Sequence, residues 1–432
     1  MNYSQFLKSK IRAVGGNGPT CPPLPAQLYD WQAALVQWAV KQGRGAIFAD
    51  CGLGKSFMQI AWADAIRVPV LMFAPLCVAE QTIAEGRKLG IRIQYAHDQH
   101  EVTERLTITN YERLEKFDLS QFQGVVLDES SILKSMDGKT RTKLIELCAD
   151  TPYRLCCTAT PSPNDIAELA NHAEFLGITT RQEFLATWFV HDDEGWRMKR
   201  HAVEPFYRWL GSWAAALKSP ADLGLDAKGF DLPRLIIKDL VVGADGPAEG
   251  MLFADMGLSG IGGRLKARKA SVGSRVEAVA DLIRETPGSW LVWCGLNSEA
   301  EALADAIGPE AVNVQGSDSQ AEKVGAVHAF LDGTIRVMVS KPKIMGFGMN
   351  FQHCHNVAFL GLSDSYEAYY QCIRRCWRYG QKSPVTATIV VSEAELGIVT
   401  NVRRKEERAL SLASSLAPYT RALARPYLEQ MA

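Results

Sequence analysis

The segment Ala49-Asp50-Cys51-Gly52-Leu53-Gly54-Lys55-Ser56 constrains the fold of this chain more than any other. It follows the apolar run GAIFA (45–49) and opens the helical pattern SFMQIAWADAI (56–66). A short buried strand that turns through glycines into a helix belongs to an α/β unit built on a parallel sheet. The glycines let backbone N–H groups approach an anion, and the helix N-terminus adds positive potential there. A lysine at this spacing reaches the outer phosphates of a nucleotide, and the hydroxyl after it holds a divalent cation. The general pattern begins with glycine, where this chain has Ala49. A turn whose glycines serve geometry alone is the other reading, and it leaves Gly54-Lys55-Ser56 unexplained.

Two stretches of the 432 residues alternate short apolar runs with helical patterns. In the first, 45–49 is followed by VLMFA (70–74), RLTITNY (105–111), GVVLDE (124–129) and YRLCCTA (153–159). In the second the strands are WLVWCG (290–295), AVNVQ (311–315), RVMVSK (336–341), VAFLGL (357–362) and TATIVV (386–391). Short buried strands alternating with helices predict parallel sheets covered on both faces. The expected organisation is an N-terminal α/β domain over 1–172, a helical insertion over 173–232, a C-terminal α/β domain over 233–395 and a helical tail over 396–432. EFLATWFV and EPFYRWLGSWAAAL read as helices of the insertion. Trp188, Phe189, Trp196, Phe206, Trp209 and Trp213 read as its core rather than as stacking platforms for bases. GLSGIGG (257–263) reads as a loop before a basic helix over 264–285, which either tracks phosphates or is simply solvated.

Composition narrows the class. With 47% hydrophobic residues and a net charge of -1, the chain is not disordered as its main state. No apolar run approaches the ~20 residues that a bilayer requires, so no membrane association is expected. The opening MNYSQFLKSKIRAV is too polar for a secretory signal. Ten cysteines are then expected as reduced thiols in a cytoplasmic protein.

Two further segments carry chemistry. Val125-Val126-Leu127-Asp128-Glu129 is an apolar strand ending in two acids. A nucleotide hydrolase needs one carboxylate for the metal and one to orient and deprotonate water, roles that fall to Asp128 and Glu129. In QCIRRCWRYGQ (371–381), Arg375 and Arg378 are three apart and would share a helix face. Guanidinium groups there either neutralise charge developing on a γ-phosphate or form a basic patch for a phosphate backbone. His353, Cys354 and His355 are adjacent, which suits a loop better than convergence on one ion. Cys372 and Cys376 are expected to pack within the arginine helix.

The order of these segments resembles the superfamily 2 (DEAD/DEAH-type) helicases and translocases, particularly the Swi/Snf-like branch, and most closely the short helicases of bacteriophages and prophages. The resemblance runs from about Leu28 to Lys405. It rests on LYDWQ (28–32), ADCGLGKS (49–56), FAPLCVAEQT (73–82), ITNYERL (108–114), LDESSILK (127–134) and CTATPSPND (157–165) in the first half. LVWC (291–294), VSKPKIMGFGMN (339–350) and QCIRRCWRYGQ (371–381) follow in the second. DESS stands where DEAH or DEAD endings are better known, Ser56 where threonine is commoner, and Trp377 where histidine is frequent.

The resemblance implies two tandem RecA-like domains, parallel sheets flanked by helices, with a helical elaboration between them and ATP held between the lobes. It implies that Gln32 reads adenine, and that Cys51, Gly52, Leu53, Gly54, Lys55, Ser56, Gly348 and Asn350 bind the nucleotide. Ser56 and Asp128 would hold Mg²⁺, and Lys55, Asp128, Glu129, Arg375 and Arg378 would be catalytic. Pro75, Thr109, Asn110, Tyr111, Ser340 and Lys341 would touch nucleic acid, DNA rather than RNA. Thr158, Thr160 and Gln371 would couple the two events. The activity so implied is ATP-driven unwinding of, or movement along, DNA by a monomer in the bacterial host of a phage or prophage. A duplex translocase that separates strands little, and an ATP-switched clamp, remain open beside it. No segment reads as a wedge hairpin. Gln32 carries both a donor and an acceptor for the adenine edge, so Gln32→Ala is expected to weaken ATP more than GTP in a direct binding titration.

Overall fold

The computed structural model of the chain describes residues 16–135, 138–193, 195–243, 268–345 and 349–431, apart from the side chain of Cys77. Two compact units emerge: 1–230 together with 407–432, and 231–406. Each is a wholly parallel sheet with helices packed on it, the tandem α/β architecture expected from the alternating runs.

In the first unit, helix α1 (Asp30–Gln42) precedes β1 (Arg44–Ala49), and α2 (Lys55–Ala65) leads to β2 (Val70–Ala74). After α3 (Ala79–Lys88) come β3 (Gln94–Tyr95), β4 (Leu106–Asn110) and β5 (Gly124–Asp128), then α4 (Lys139–Leu147) and β6 (Tyr153–Cys157). Helices α5 (Leu169–Phe175) and α6 (Arg181–Trp188) follow, then an antiparallel hairpin of β7 (Phe189–Asp192) and β8 (Gly195–Met198). Helix α7 (Val203–Leu210) and strand β9 (Ala214–Leu217) close this part of the chain. The seven-stranded sheet runs β3-β4-β2-β5-β6-β1-β9. Strands β2, β4 and β5 are buried along their whole length, which is why they read as continuous apolar runs rather than alternating ones.

The order β5-β6-β1 decides where function can lie. Asp128 pairs with Cys157 and Ile47 with the same Cys157, so the carboxyl ends of the three strands are level. The loop after β1, the acids ending β5 and the threonines after β6 therefore share one edge of the sheet, where ligands bind in parallel α/β folds.

Residues 173–230 pack into the first unit instead of forming a separate helical insertion. The segment read as one helix ends at Leu210, before Gly211, and Ala214–Leu217 then pairs in parallel with β1. Alanine favours helix, but four fully enclosed residues beside β1 gain a ladder of hydrogen bonds and burial. EFLATWFV likewise splits, with helix to Trp188 and strand from Phe189, giving a hairpin that the sequence did not reveal. Trp188, Phe189, Phe206, Trp209 and Trp213 are buried core, with Trp209 and Trp213 edge to face at 5.4 Å; Trp196 packs at its margin.

The second unit contains β10 (Leu235–Val242), α8 (Val272–Glu285), β11 (Trp290–Cys294), α9 (Asn297–Ile307), β12 (Ala311–Val314) and α10 (Gln320–Leu331). It continues with β13 (Val337–Ser340), α11 (Pro342–Met345), β14 (Asn356–Leu360), α12 (Tyr366–Cys376) and β15 (Val385–Ser392). The sheet order is β10-β15-β14-β11-β13-β12. Strand β10 went unread in the sequence. It lies at an edge and is half-exposed, so its pattern lacks the dense apolar run of its neighbours. The last helix, α13 (Leu396–Met431), does not form a separate tail. Up to residue 406 it belongs to the second unit, where Arg403 meets Asp239 at 2.5 Å and Lys405 donates to the Asp364 carbonyl. From residue 407 it belongs to the first, where Thr420 Oγ1 accepts the Ala216 N–H of edge strand β9 at 2.9 Å.

The glycine-rich stretch 257–263 and the start of the expected basic helix lie outside the described residues. Within that helix, Arg268 and Arg275 neither track phosphates nor meet solvent. Arg268 pairs bidentately with Glu299 at 2.7 and 2.9 Å and Arg275 shares the same carboxylate at 2.8 Å, while Glu395 lies 3.6 Å from Arg275. Burial pushes the Glu299 carboxyl up, but the hydrogen bonds and charges of Arg268 and Arg275 outweigh it and hold it below its usual value. Because the folded value is depressed, this stabilisation is complete above the ordinary glutamate value of 4.5 and is lost as pH falls below it. Glu299→Gln, which removes the charge that Arg268 and Arg275 share and leaves only Glu395 at 3.6 Å from Arg275, should cost about 3–5 kcal/mol, read from urea unfolding at neutral pH.

Candidate functional site

Residues 50–54 form a tight loop between β1 and α2, with Gly54 in the left-handed region at φ +70 as the residue before the helix. Lys55 Nζ donates to the carbonyls of Ala49 at 3.0 Å and Asp50 at 3.4 Å, so its ammonium is drawn into the loop. Burial alone would lower its pKa, but Cys51, Glu129, Asp50 and Asp128 together raise it above the ordinary lysine value. A fixed positive charge thus faces the carboxyl edge of the sheet. Ser56, partly exposed, follows it as the second residue of α2.

Gln32 is placed against this loop by α1. Its Oε1 accepts the Tyr29 N–H at 3.0 Å and its Nε2 donates to the Leu53 carbonyl at 3.0 Å. The amide that the sequence assigned to adenine is therefore bonded to the loop after β1. Cys51 is buried in the loop, with its N–H donating to Asp50 Oδ1 at 2.6 Å.

Across β6, Asp128 ends β5 with 6% of its surface exposed. Burial and the adjacent charge of Glu129 push its carboxyl up to about 7, against the opposing pull of Gln59 and Lys55. Gln59, fully buried on α2, is a neighbour that sequence reasoning did not single out. Glu129 is the first residue after the strand and adopts φ +50, ψ 54. For a residue with a side chain this left-handed conformation costs about 1–3 kcal/mol, a strain that recurs at functional sites. Thr158 Oγ1 donates to Glu129 Oε2 at 3.0 Å and accepts the Thr160 N–H at 3.1 Å, joining the threonines after β6 to the second acid.

The donor chemistry suits Mg²⁺. One carboxylate from Asp128 and one hydroxyl from Ser56, completed by phosphate oxygens, would form the all-oxygen set of a hard cation. A carboxyl held near 7 by burial beside a second acid is the group that a divalent cation would return to its charged form. Among the described residues no cluster of three or more His, Cys, Asp or Glu side chains is arranged to hold a metal unaided. Cys354 turns inward, its thiol donating to Ser289 and Asn356 carbonyls, and His353 lies edge-on to Phe330.

The side chains assigned to nucleic acid mostly face inward. Thr109 Oγ1 donates to the Ala96 carbonyl at 2.9 Å, and Asn110 Oδ1 accepts the Tyr95 hydroxyl at 2.8 Å. Tyr111 donates its hydroxyl to the Asp128 carbonyl at 2.5 Å. Ser340, fully buried, donates to Val314 O. Any strand contact at these positions would use main chain or the flanking residues; Pro75 and Lys341 are partly exposed. The strand ends were readable as candidates, but the direction of each side chain was not.

In the second unit, α12 ends at Cys376, so Arg378 lies beyond the helix and the shared-face argument fails. Both arginines nevertheless reach one acceptor: Arg375 and Arg378 donate to the Met349 carbonyl at 3.1 and 3.3 Å. Arg375, 7% exposed, also donates to Gln371 O and Gln371 Oε1. It clasps the turn that carries exposed Asn350, while Arg378 is the more accessible of the two. Gly348 lies outside the described residues. Cys372 and Cys376 are fully buried, as packing residues.

A Cβ placed on Gly54 would stand 2.5 Å from Gln32 Nε2. Gly54→Ala should therefore release the Gln32–Leu53 bond and add about 1–2 kcal/mol of left-handed strain. Unfolding measurements and faster amide exchange at residues 52–55 would register both effects.

Comparison with known proteins adds two findings. Residues 274–380 match the family model of the helicase conserved C-terminal domain, a span from α8 past the end of α12. Among solved structures the chain is similar to the Sulfolobus solfataricus SWI2/SNF2 ATPase core in complex with dsDNA. That similarity is 17% identity over 92% of this chain and 96% of that one, with a TM-score of 0.44. No curated protein sequence matches the chain significantly.

Proposed function

We propose that this protein is a DNA-dependent ATP hydrolase of the helicase and translocase type, resembling those of phages. The observation that carries the proposal is the convergence, at one edge of the first sheet, of a phosphate loop, its lysine and an acid pair. The match of 274–380 to a helicase C-terminal domain supports the same reading from the other unit.

On this reading the loop N–H groups and Lys55 bind the β- and γ-phosphates, and Gln32 fixes both the loop and the base. Mg²⁺, held by Asp128 and Ser56, would neutralise phosphate charge as the γ-phosphoryl leaves. Glu129 holds the attacking water and takes its proton, with Thr158 steadying the carboxylate. Arg375 and Arg378 would supply guanidinium charge to the γ-phosphate during turnover, Arg378 being the more accessible of the two. Thr158 and Thr160, linked to Glu129, would report the state of the nucleotide to segments that grip the strand, with Gln371 joining Arg375 to that exchange. Movement along DNA, with or without strand separation, is what such coupling produces.

ATPase rates measured against single strands, duplexes, forks and RNA test the proposal, alongside a strand-displacement assay. DNA should stimulate hydrolysis more than RNA. Lys55→Ala should abolish most turnover, whereas Glu129→Gln should still bind ATP. Arg378→Ala should lower turnover by about 10³ or more while leaving DNA affinity unchanged. Equal rates with and without nucleic acid, or normal turnover by Lys55→Ala, would refute the assignment.

A further inference from the structure

We propose that Tyr111 and His172 are positioning residues that fix the Glu129 carboxylate by holding its backbone from both sides. The catalytic consequence rests on the hydrolase reading above; the positioning rests on geometry alone.

A left-handed conformation at a residue with a side chain persists only where its surroundings over-determine it. The φ angle of Glu129 is set by the peptide joining it to Asp128. Both polar groups of that peptide are engaged: its carbonyl accepts the Tyr111 hydroxyl at 2.5 Å, and its N–H donates to Asp128 Oδ1 at 3.1 Å. The ψ angle is set by the following peptide. Its carbonyl accepts the Ile132 N–H at 3.1 Å, and Ser130, which carries its N–H, is tied by its own side chain: Ser130 Oγ and His172 Nε2 share a hydrogen bond at 3.1 Å. Asn171, beside His172 on α5, donates to the Leu133 carbonyl at 2.7 Å. Two successive residues of one helix therefore grip the turn 130–134 at two points.

Both anchors are themselves immobilised. The Tyr111 ring stacks on Phe73 of β2 at 5.8 Å and 23°. The His172 ring stands edge-on to Phe48 of β1 at 5.5 Å, fully buried. Burial lowers the His172 pKa to about 4, so the ring is neutral at working pH and brings no charge to the acids nearby. Neither side chain bonds to the Glu129 carboxylate. Each acts through the backbone, while Thr158 holds the carboxylate directly. Glu168, the residue just before α5, also ties the segment after β6 to the same assembly, since it accepts from the Asn164 side chain at 2.8 Å and from the Asn164 N–H at 3.1 Å. The turn bearing the second acid and the loop bearing the threonines are thereby fastened to one helix.

Tyr111→Phe removes one oxygen and keeps the stacked ring. His172→Phe keeps a buried aromatic without the bond, and His172→Gln returns a nitrogen near the Nε2 position. For both Phe variants, kcat should fall about ten- to hundredfold, the scale of a small misplacement of a reacting group. KM for ATP should stay within about twofold, and His172→Gln should recover most of the loss. Hydrogen exchange at the amides of 129–132, measured without nucleotide, should accelerate in both Phe variants while the rest of the unit is unchanged. Wild-type kcat in both overturns the catalytic role, and wild-type exchange at 129–132 overturns the positioning. A loss that His172→Gln does not recover, accompanied by a raised KM and faster exchange throughout the unit, shows general structural damage and also overturns it. If the unsubstituted protein hydrolyses no ATP, the hydrolase reading fails by itself, and the exchange rates still decide whether the two side chains hold the loop.

Discussion

Parallel pairing of β5, β6 and β1 is the constraint on which the rest of the first unit depends. The ladder aligns Asp128 with Cys157 and Cys157 with Ile47, so three chain segments leave the sheet at one level. Because successive parallel strands must be joined by crossovers, the edge where they emerge is made of loops rather than packed side chains. A lysine, two acids and two threonines from distant parts of the chain meet there. The same sheet buries them: Asp128 is 6% exposed and Thr158 not at all, so their charges and dipoles act in a medium that screens them weakly. The raised carboxyl of Asp128 and the raised ammonium of Lys55 are two expressions of that one setting.

The second unit uses charge differently. A buried electrostatic assembly, Arg268 and Arg275 around Glu299, lies at the carboxyl end of β11 and also reaches Glu395 after β15. Arg268 further donates to the carbonyls of Leu360, the last residue of β14, and Leu362 just beyond it. Gly295 and Gly361 are required where that guanidinium passes, since a Cβ on either would stand 2.5 Å from it. The result fastens residues from the start and the end of the unit to its central strands. Arg375 does similar work around Met349 and Gln371.

Legibility followed local physics. The glycine loop between β1 and α2 and the strand ending in Asp128-Glu129 were readable because backbone geometry and a buried strand impose their residue types over a few consecutive positions. The central strands were readable for the same reason. What failed was whatever depended on a partner far along the chain. Ala214–Leu217 reads as helix until β1 is beside it, and Arg268 reads as a surface cation until Glu299 meets it. The run read as a strand through Tyr111 ends at Asn110, and the sequence could not say that the side chains of Thr109, Asn110 and Tyr111 would all turn inward. His172 had no local signature at all, since a lone histidine on an apolar helix resembles any other core residue.

By itself, the sequence determined that the chain contains two parallel-sheet α/β units and a loop suited to phosphate. These are written in runs of five to eight residues, where periodicity and glycine placement leave few conformations open. Tertiary structure alone decided where the units divide, because 173–230 and the end of the last helix find their burial in the first unit. It also decided that Glu129 is left-handed and that Tyr111 and His172 flank it. A strained backbone is stable only when contacts from several elements converge on it, and no stretch of sequence contains those contacts.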